Sequence, residues 1–180
     1  MGPLCGPAGV RDQQAEGHRV DNSCDAGDML VFVPLAQTDL ADWATTGKRD
    51  VSGFAATPVF LESFGLTAPD TEDADLTLLE VAGIAGLLAH GVRLVAVCET
   101  DAAGAEPAEF GAVVAEGVRW STVESLFADD EDGARRASAA RDEIGACTLD
   151  EAWESDAVSD LLRGTELLWH GSSEWARLSH

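Results

Sequence analysis

The stretch that decides the fold is MLVFVP, residues 29–34, a continuous apolar run that ends in a proline. A short apolar run bounded by breaking residues is typical of a buried strand. Pro34 ends the strand, because proline has no N–H to donate to a neighbouring chain. The folded part of the protein is therefore expected to begin at Met29.

The segment before this strand has a different character. Residues 1–28 are rich in glycine and contain two prolines, with almost no apolar periodicity. We interpret them as a disordered leader or, because residue 29 is itself a methionine, as a mis-assigned start. Residues 29–180 are then expected to form a single globular domain, which is long enough to bury a core without disulfides or a metal.

Capping residues mark the first helices after the strand. Thr38 is expected to cap a short helix that Gly47 ends, since glycine readily adopts the left-handed conformation found beyond helix termini. Thr57 followed by Pro58 predicts a second helix start, with proline at the first helical position.

The longest helix is expected to follow Thr71, with Glu72, Asp73 and Asp75 in its first turn, and to run to about His90, where Gly91 stops it. Gly83 and Gly86 lie inside it and would allow close packing on a sheet. Thr148 and Glu151 form a capping box that predicts one further helix, continuing to about residue 163.

The remaining apolar runs predict strands. They are expected at residues 29–34, 51–56, 93–99, 110–116, 122–127 and 166–170. Because helices separate strands early in the chain and strands follow one another later, we predict a single mixed α/β domain with α+β character. Its mixed sheet would have five or six strands, with helices packed on at least one face.

Charge restricts the partners of the protein. The chain has 33 acidic and 11 basic residues, a formal charge of −22. Such a surface repels nucleic acid and anionic lipid, and it attracts basic proteins. The sequence contains neither an apolar stretch long enough for a membrane span nor a secretory signal, so a cytoplasmic location is expected.

The cysteines do not predict a metal site or a disulfide framework. The four cysteines form no CxxC pair. Cys98, on a predicted interior strand, is expected to be a buried apolar residue, and no cofactor is predicted.

Four segments together resemble an uncharacterised family of short acidic actinobacterial proteins, classed as a domain of unknown function. These are LVFVP at residues 30–34, FAATP at 54–58, the acid-led helix over 72–82, and ELLW at 166–169. The resemblance covers roughly residues 29–178. It implies a domain that begins at Met29, and it supplies no catalytic residues.

Two groups of residues suggest an enzyme. The acidic run Asp129, Asp130, Glu131 and Asp132 offers the carboxylate oxygens that Mg²⁺ or Ca²⁺ prefers. His170 and Ser172 flank a glycine after the last strand and suggest a base and a nucleophile. A small metal-assisted hydrolase that uses either group is therefore the alternative function.

The favoured function is a non-catalytic interaction or regulatory module that docks a basic protein partner. Of the five tryptophans, Trp120 and Trp175 are expected at the surface as binding anchors, and Trp43, Trp153 and Trp169 in the core. Imitation of a phosphate backbone is a third reading, and it would require the acids to be ordered in a stripe.

Overall fold

The computed structural model describes residues 28–178, which form one antiparallel sheet with helices on both faces. The seven strands are β1 (Met29–Pro34), β2 (Lys48–Phe54), β3 (Leu94–Thr100), β4 (Ala103–Gly104), β5 (Ala112–Arg119), β6 (Val123–Ala128) and β7 (Leu168–Gly171). They lie in the order β4-β5-β2-β1-β3-β6-β7. The expected leader, apart from Asp28, lies outside the described residues.

The helices fill the connections between strands. They are α1 (Gln37–Thr46), α2 (Pro58–Ser63), α3 (Thr71–His90), α4 (Glu131–Ile144), α5 (Leu149–Trp153), α6 (Asp156–Gly164) and α7 (Trp175–Leu178). Short 3-10 turns precede β5, β6 and α7. None of these helices is both long enough and apolar enough to cross a bilayer.

The α/β class is confirmed, but the expected strand count and the mixed sheet are wrong. The described residues form seven strands, and every pairing between them is antiparallel. The missed strand is β4, an Ala-Gly pair in a loop whose residues have little strand propensity. The helices predicted between successive strands suggested parallel strands joined by crossovers. In the structure, α1 connects β1 to β2, and these two strands are antiparallel.

β1 occupies the centre of the sheet. Its six residues pair with β3 over their whole length, and Val31, Phe32 and Val33 are buried. The pairing with β2 is limited to Phe32 opposite Phe54. Leu35 donates its N–H to the Leu94 carbonyl at 2.9 Å, so Leu35 bonds towards β3. Because the bonding direction alternates along a strand, the backbone nitrogen of Pro34 faces β2, and it has no hydrogen to donate. The proline therefore ends the β1–β2 ladder.

The two faces of the sheet have separate cores. One face carries Val31 and Val33 and is covered by α1, whose Trp43 is fully buried and donates its indole N–H to the Val118 carbonyl at 3.1 Å. The other face carries Phe32 and is covered mainly by α3, through residues such as Leu78. A third apolar cluster joins α3 to α4 and α6.

Several predicted helix ends are confirmed. Gly47 and Gly91 end α1 and α3 in the left-handed conformation. The Thr57 hydroxyl accepts the Phe60 N–H at the start of α2, as the Thr-Pro signal predicts. The capping box of Thr148 is also present at the start of α5.

Two helix predictions are wrong. Thr38 is inside α1, and Ala36 occupies its N-cap without a side-chain hydrogen bond. The single helix expected after Thr148 is divided, because Ser155 caps the new helix α6 by accepting the Val158 N–H. The short polar side chain of serine competes for backbone groups and favours such a break.

The glycines of α3 allow the close packing that the sequence suggests. A β-carbon at Gly86 would lie 3.0 Å from the Val92 carbonyl oxygen, and one at Gly83 would lie 3.3 Å from the Leu167 side chain. α3 therefore lies close both to the start of β3 and to the segment that leads into β7.

Gly111, just before β5, is a second kind of tightly packed glycine, and it allows the cost of an added side chain to be tested. Its φ is +76°, and an added β-carbon would overlap the Ala55 carbonyl oxygen, whereas Gly47 has a φ of +77° with open space around it. We expect Gly47→Ala to lower the free energy of unfolding by about 1–2 kcal/mol through backbone strain alone. Gly111→Ala should lower it by at least twice as much, as measured by urea denaturation. Equal losses would show that the Ala55 contact relaxes without cost.

Candidate functional site

The two tryptophans expected as anchors are half-buried. Trp120 packs edge-to-face on Trp43, with ring centroids 5.5 Å apart. Trp175 also packs against the core on the α1 face of the sheet. Both rings therefore contribute to folding, and their role in binding stays a prediction.

Trp169 is the exposed tryptophan, which corrects its expected place in the core. Its exposed fraction is 64%. It lies on β7, at one edge of the described sheet, opposite Phe127 of β6. The alternation of residues along a strand predicts which face a side chain occupies, but it does not show that the strand has a neighbour on one side only. The exposure of the Trp169 ring therefore could not be predicted.

The first acid of the run at residues 129–132 has a structural partner. Asp129 accepts two hydrogen bonds from the buried Arg93 guanidinium, from Nε at 2.9 Å and from Nη2. Arg93 Nη2 also donates to the Thr165 hydroxyl at 2.7 Å, and that hydroxyl donates to the Leu161 carbonyl. The network ties the start of β3 and the end of β6 to the connection between α6 and β7.

The other acids of the run point to different partners. Asp130 caps α4 by accepting the Gly133 N–H at 2.7 Å. Asp132 forms surface ion pairs with Arg135 and Arg136. Among residues 28–178, no group of three or more His, Cys, Asp or Glu side chains is arranged to hold a metal ion. The hydrolase alternative gains no support from this run.

His170 and Ser172 do not form a linked pair. His170 is half-buried on β7 opposite Leu126, and Ser172 begins the 3-10 turn that follows Gly171. No hydrogen bond joins the two side chains in the described part of the chain. Their use as base and nucleophile stays a prediction without support from the geometry.

A groove of about 420 Å³ lies between α3, β6 and the segment that leads into β7. We call it the edge groove, and its principal lining residues are Leu76, Leu79, Glu80, Phe127, Leu162 and Leu167. Leu76 has an exposed fraction of 63%. The groove therefore presents apolar side chains to solvent on the same face of the sheet as Trp169.

The edge groove is lined by three charged side chains, Glu80, Arg93 and Glu166, of which Glu80 lies on α3. Burial raises the pKa of the Glu80 carboxyl, and the nearby charge of Arg93 partly offsets that effect. Within the described residues, Glu80 makes no hydrogen bond and no ion pair, and Arg93 is bonded to Asp129. The side chain is exposed, so its carboxylate is open to an incoming cation, which would favour the charged form.

A second opening, of about 470 Å³, lies where β1 and β2 diverge, and its acids are already bonded. Arg49 pairs with Asp39 at 3.3 Å. Asp50 accepts the Gly117 N–H, and Glu106 accepts the Ala108 N–H. The contrast supports the edge groove as the candidate site.

The fold and the groove together define an α/β protein whose antiparallel sheet has an open edge beside an apolar, acid-bearing groove. The chain belongs to DUF6912, a family of unknown function, whose model matches residues 29–178. This confirms the resemblance to an uncharacterised domain family. No curated protein and no solved structure is significantly similar to the chain.

Sequence reasoning missed the residues that build the groove. Glu80 and Leu76 are four residues apart on α3 and so share one side of it. The spacing shows that the two residues share a side of the helix. Because α3 is apolar around most of its circumference, the sequence does not show which side is exposed. Only the position of β7 shows which side remains open.

The Arg93–Asp129 pair predicts a structural role for Asp129. We expect Asp129→Ala to lower the free energy of unfolding by about 3–5 kcal/mol, because Arg93 would remain buried without a counter-charge. Asp132→Ala, which removes exposed ion pairs, is the matched control and should cost less than about 1 kcal/mol. Equal losses for the two variants in chemical denaturation would contradict the structural role.

Cys98 is fully buried as expected, and it predicts a pattern of thiol reactivity. Burial raises the pKa of the Cys98 thiol to about 12, and nearby Glu124 contributes to the increase. The native protein at pH 8 should therefore alkylate at Cys147, which is partly exposed, and not at Cys98. Peptide mapping by mass spectrometry checks this, with the unfolded protein as control. Equal native rates at both thiols would be inconsistent with the packing around Cys98.

Proposed function

We propose that this chain is a non-catalytic docking module that binds a basic protein segment in the edge groove. The observation that carries the proposal is Glu80, an exposed carboxylate that makes no hydrogen bond with the described residues and lies in a groove with the exposed Leu76 and the partly buried Leu79 and Leu167. A guanidinium or ammonium group would supply the missing partner, and such charge-assisted hydrogen bonds are stronger than neutral ones.

The charge of the whole protein supports a basic partner. Residues 28–178 contain 29 acids and nine basic residues. Six of the nine are already in ion pairs with carboxylates of the same chain. The remaining field is negative, and it would steer a cationic segment towards the surface.

Apolar contacts would supply affinity beyond charge. Leu76 and Trp169 are among the most exposed large apolar residues in the described chain. Tryptophan is enriched among the residues that dominate binding energy, because a large rigid ring loses little entropy when it is covered. We therefore place the principal anchor at Trp169, whereas Trp120 and Trp175 already pack against the core.

A defined peptide tests the proposal. The probe is a short, fluorescently labelled peptide of alternating valine and arginine, acetylated and amidated at its ends, with glutamate in place of arginine as the control peptide. We expect binding of the arginine peptide, measured by fluorescence anisotropy, and no binding of the glutamate peptide.

Groove variants then distinguish a site from general charge attraction. Glu80→Gln and Leu76→Ala should each weaken binding about tenfold, which corresponds to about 1.4 kcal/mol. Glu116→Gln, at an exposed acid on β5, is the matched control and should leave the dissociation constant within about twofold. An equal effect of Glu80→Gln and Glu116→Gln would overturn the proposal.

A further inference from the structure

Apart from its length of only four residues, the outer edge of β7 lacks the features that usually protect a sheet edge. Natural edge strands carry lysine, proline or a bulge, or they are very short. β7 has the sequence LWHG, and its pairing with β6 shows no register shift. The opposite edge of the sheet is β4, which has only two residues.

β7 exposes an apolar side chain on each of its faces. Trp169 is opposite Phe127, on the face covered by α3, whereas Leu168 is opposite Ala128, on the face covered by α1. Their exposed fractions are 64% and 47%. Exposure on both faces is the pattern expected of a strand that lacks a neighbour, since one added strand would cover both side chains.

The hydrogen-bonding direction of Trp169 follows from the register. Leu35 donates to the Leu94 carbonyl, so Leu94 bonds towards β1. Backbone direction alternates along a strand, so Val95 bonds towards β6, and Phe127, which is opposite Val95, bonds towards β3. Trp169, opposite Phe127, therefore directs its N–H and C=O away from β6, towards the open edge.

A second observation agrees with this direction. Gly171 is two residues further along β7, and its N–H donates to the Glu174 carboxylate at 3.1 Å. The bond uses the outward side of Gly171 and leaves the outward groups of Trp169 as the exposed part of the edge.

We infer that the basic partner binds as an extended strand that pairs with β7 through the outward N–H and C=O of Trp169. This inference rests on the function proposed above and specifies how the same site is used. Side chains at alternating positions of the added strand would cover Trp169 on one face and Leu168 on the other. A basic side chain on the α3 face would then lie on the same face of the sheet as the edge groove that contains Glu80.

Charge favours a basic segment over a second copy of this chain. Pairing of β7 with β7 of another copy would bring together Glu166, two residues before β7, and the other carboxylates of two acidic chains. Residues 1–27 carry four acids and two arginines, so they supply no excess of positive charge either. A cationic segment compensates Glu80 and Glu166, and the other two occupants do not.

The experiment compares three peptides of the same sequence that differ in which backbone amides can donate a hydrogen bond. The first is the alternating valine and arginine peptide, and the other two have alternate amide nitrogens methylated, one in each possible phase. We expect one phase to weaken binding to the full chain about tenfold, because it removes the hydrogen bonds to Trp169. The other phase should bind like the parent peptide.

Amide hydrogen exchange locates the pairing. The Trp169 amide should exchange more slowly when the parent peptide is bound, whereas the His170 amide, which already bonds towards β6, should not change. Equal binding of the parent and both methylated peptides, with the Glu80→Gln effect intact, would overturn strand addition and leave groove docking standing. No binding of the parent peptide would overturn both.

Sedimentation of the protein alone tests the competing occupant. We expect a monomer at the concentrations used for binding. A dimer that Trp169→Ala or Leu168→Ala dissociates would assign the β7 edge to a second copy of this chain, and it would overturn the inference of a basic partner strand.

Discussion

The burial of β1 on both of its faces is the constraint on which the rest of the structure depends. Val31 and Val33 point to one side of the sheet and Phe32 to the other, and all three are buried. A strand of this kind is stable only when each face is covered, because each buried aliphatic or aromatic side chain contributes about 1.5–3 kcal/mol. Two helical layers follow, with α1 on one face and α3 on the other.

The same arrangement explains why the two edges of the sheet differ. From the centre, the sheet grows through β2 and β5 to the very short strand β4, and through β3 and β6 to β7. The Arg93–Asp129 pair stabilises the half of the sheet that contains β3, β6 and β7, because Arg93 also donates a hydrogen bond to Thr165 in the segment that leads into β7. A buried charge network thus positions an edge that carries exposed apolar side chains. It also keeps Arg93 bonded to Asp129, and Glu80 has no ion-pair partner among the described residues.

Helix ends could be predicted from the sequence where they depend on interactions between residues close together in the chain. Thr57 with Pro58, Gly91 after the long helix, and Thr148 with Glu151 all predicted helix ends that the structure confirms. Those signals act through hydrogen bonds or φ angles within a few residues. Thr38 gave a wrong helix start, because a residue can be the N-cap only where its own backbone is extended. At α1 the extended residue is Ala36, and Thr38 is already helical.

Long-range features were not readable in the same way. The acidic run at residues 129–132 suggested one cluster, but Asp129 turns inward to Arg93, which is 36 residues away in sequence, and Asp132 turns outward to arginines of its own helix. Trp169 looked like a core residue because alternation along a strand shows which face a side chain occupies. It does not show whether a further strand lies beside it.

The sequence by itself determined the α/β class, the buried first strand, most helix ends and the acidic character of the chain. Composition, periodicity and capping carry that information within a single segment. Only the tertiary structure decided that all strands are antiparallel, that β7 is an edge, and that Glu80 and Leu76 remain open beside it. These features depend on which segments become neighbours, and that is set by packing across the whole sheet.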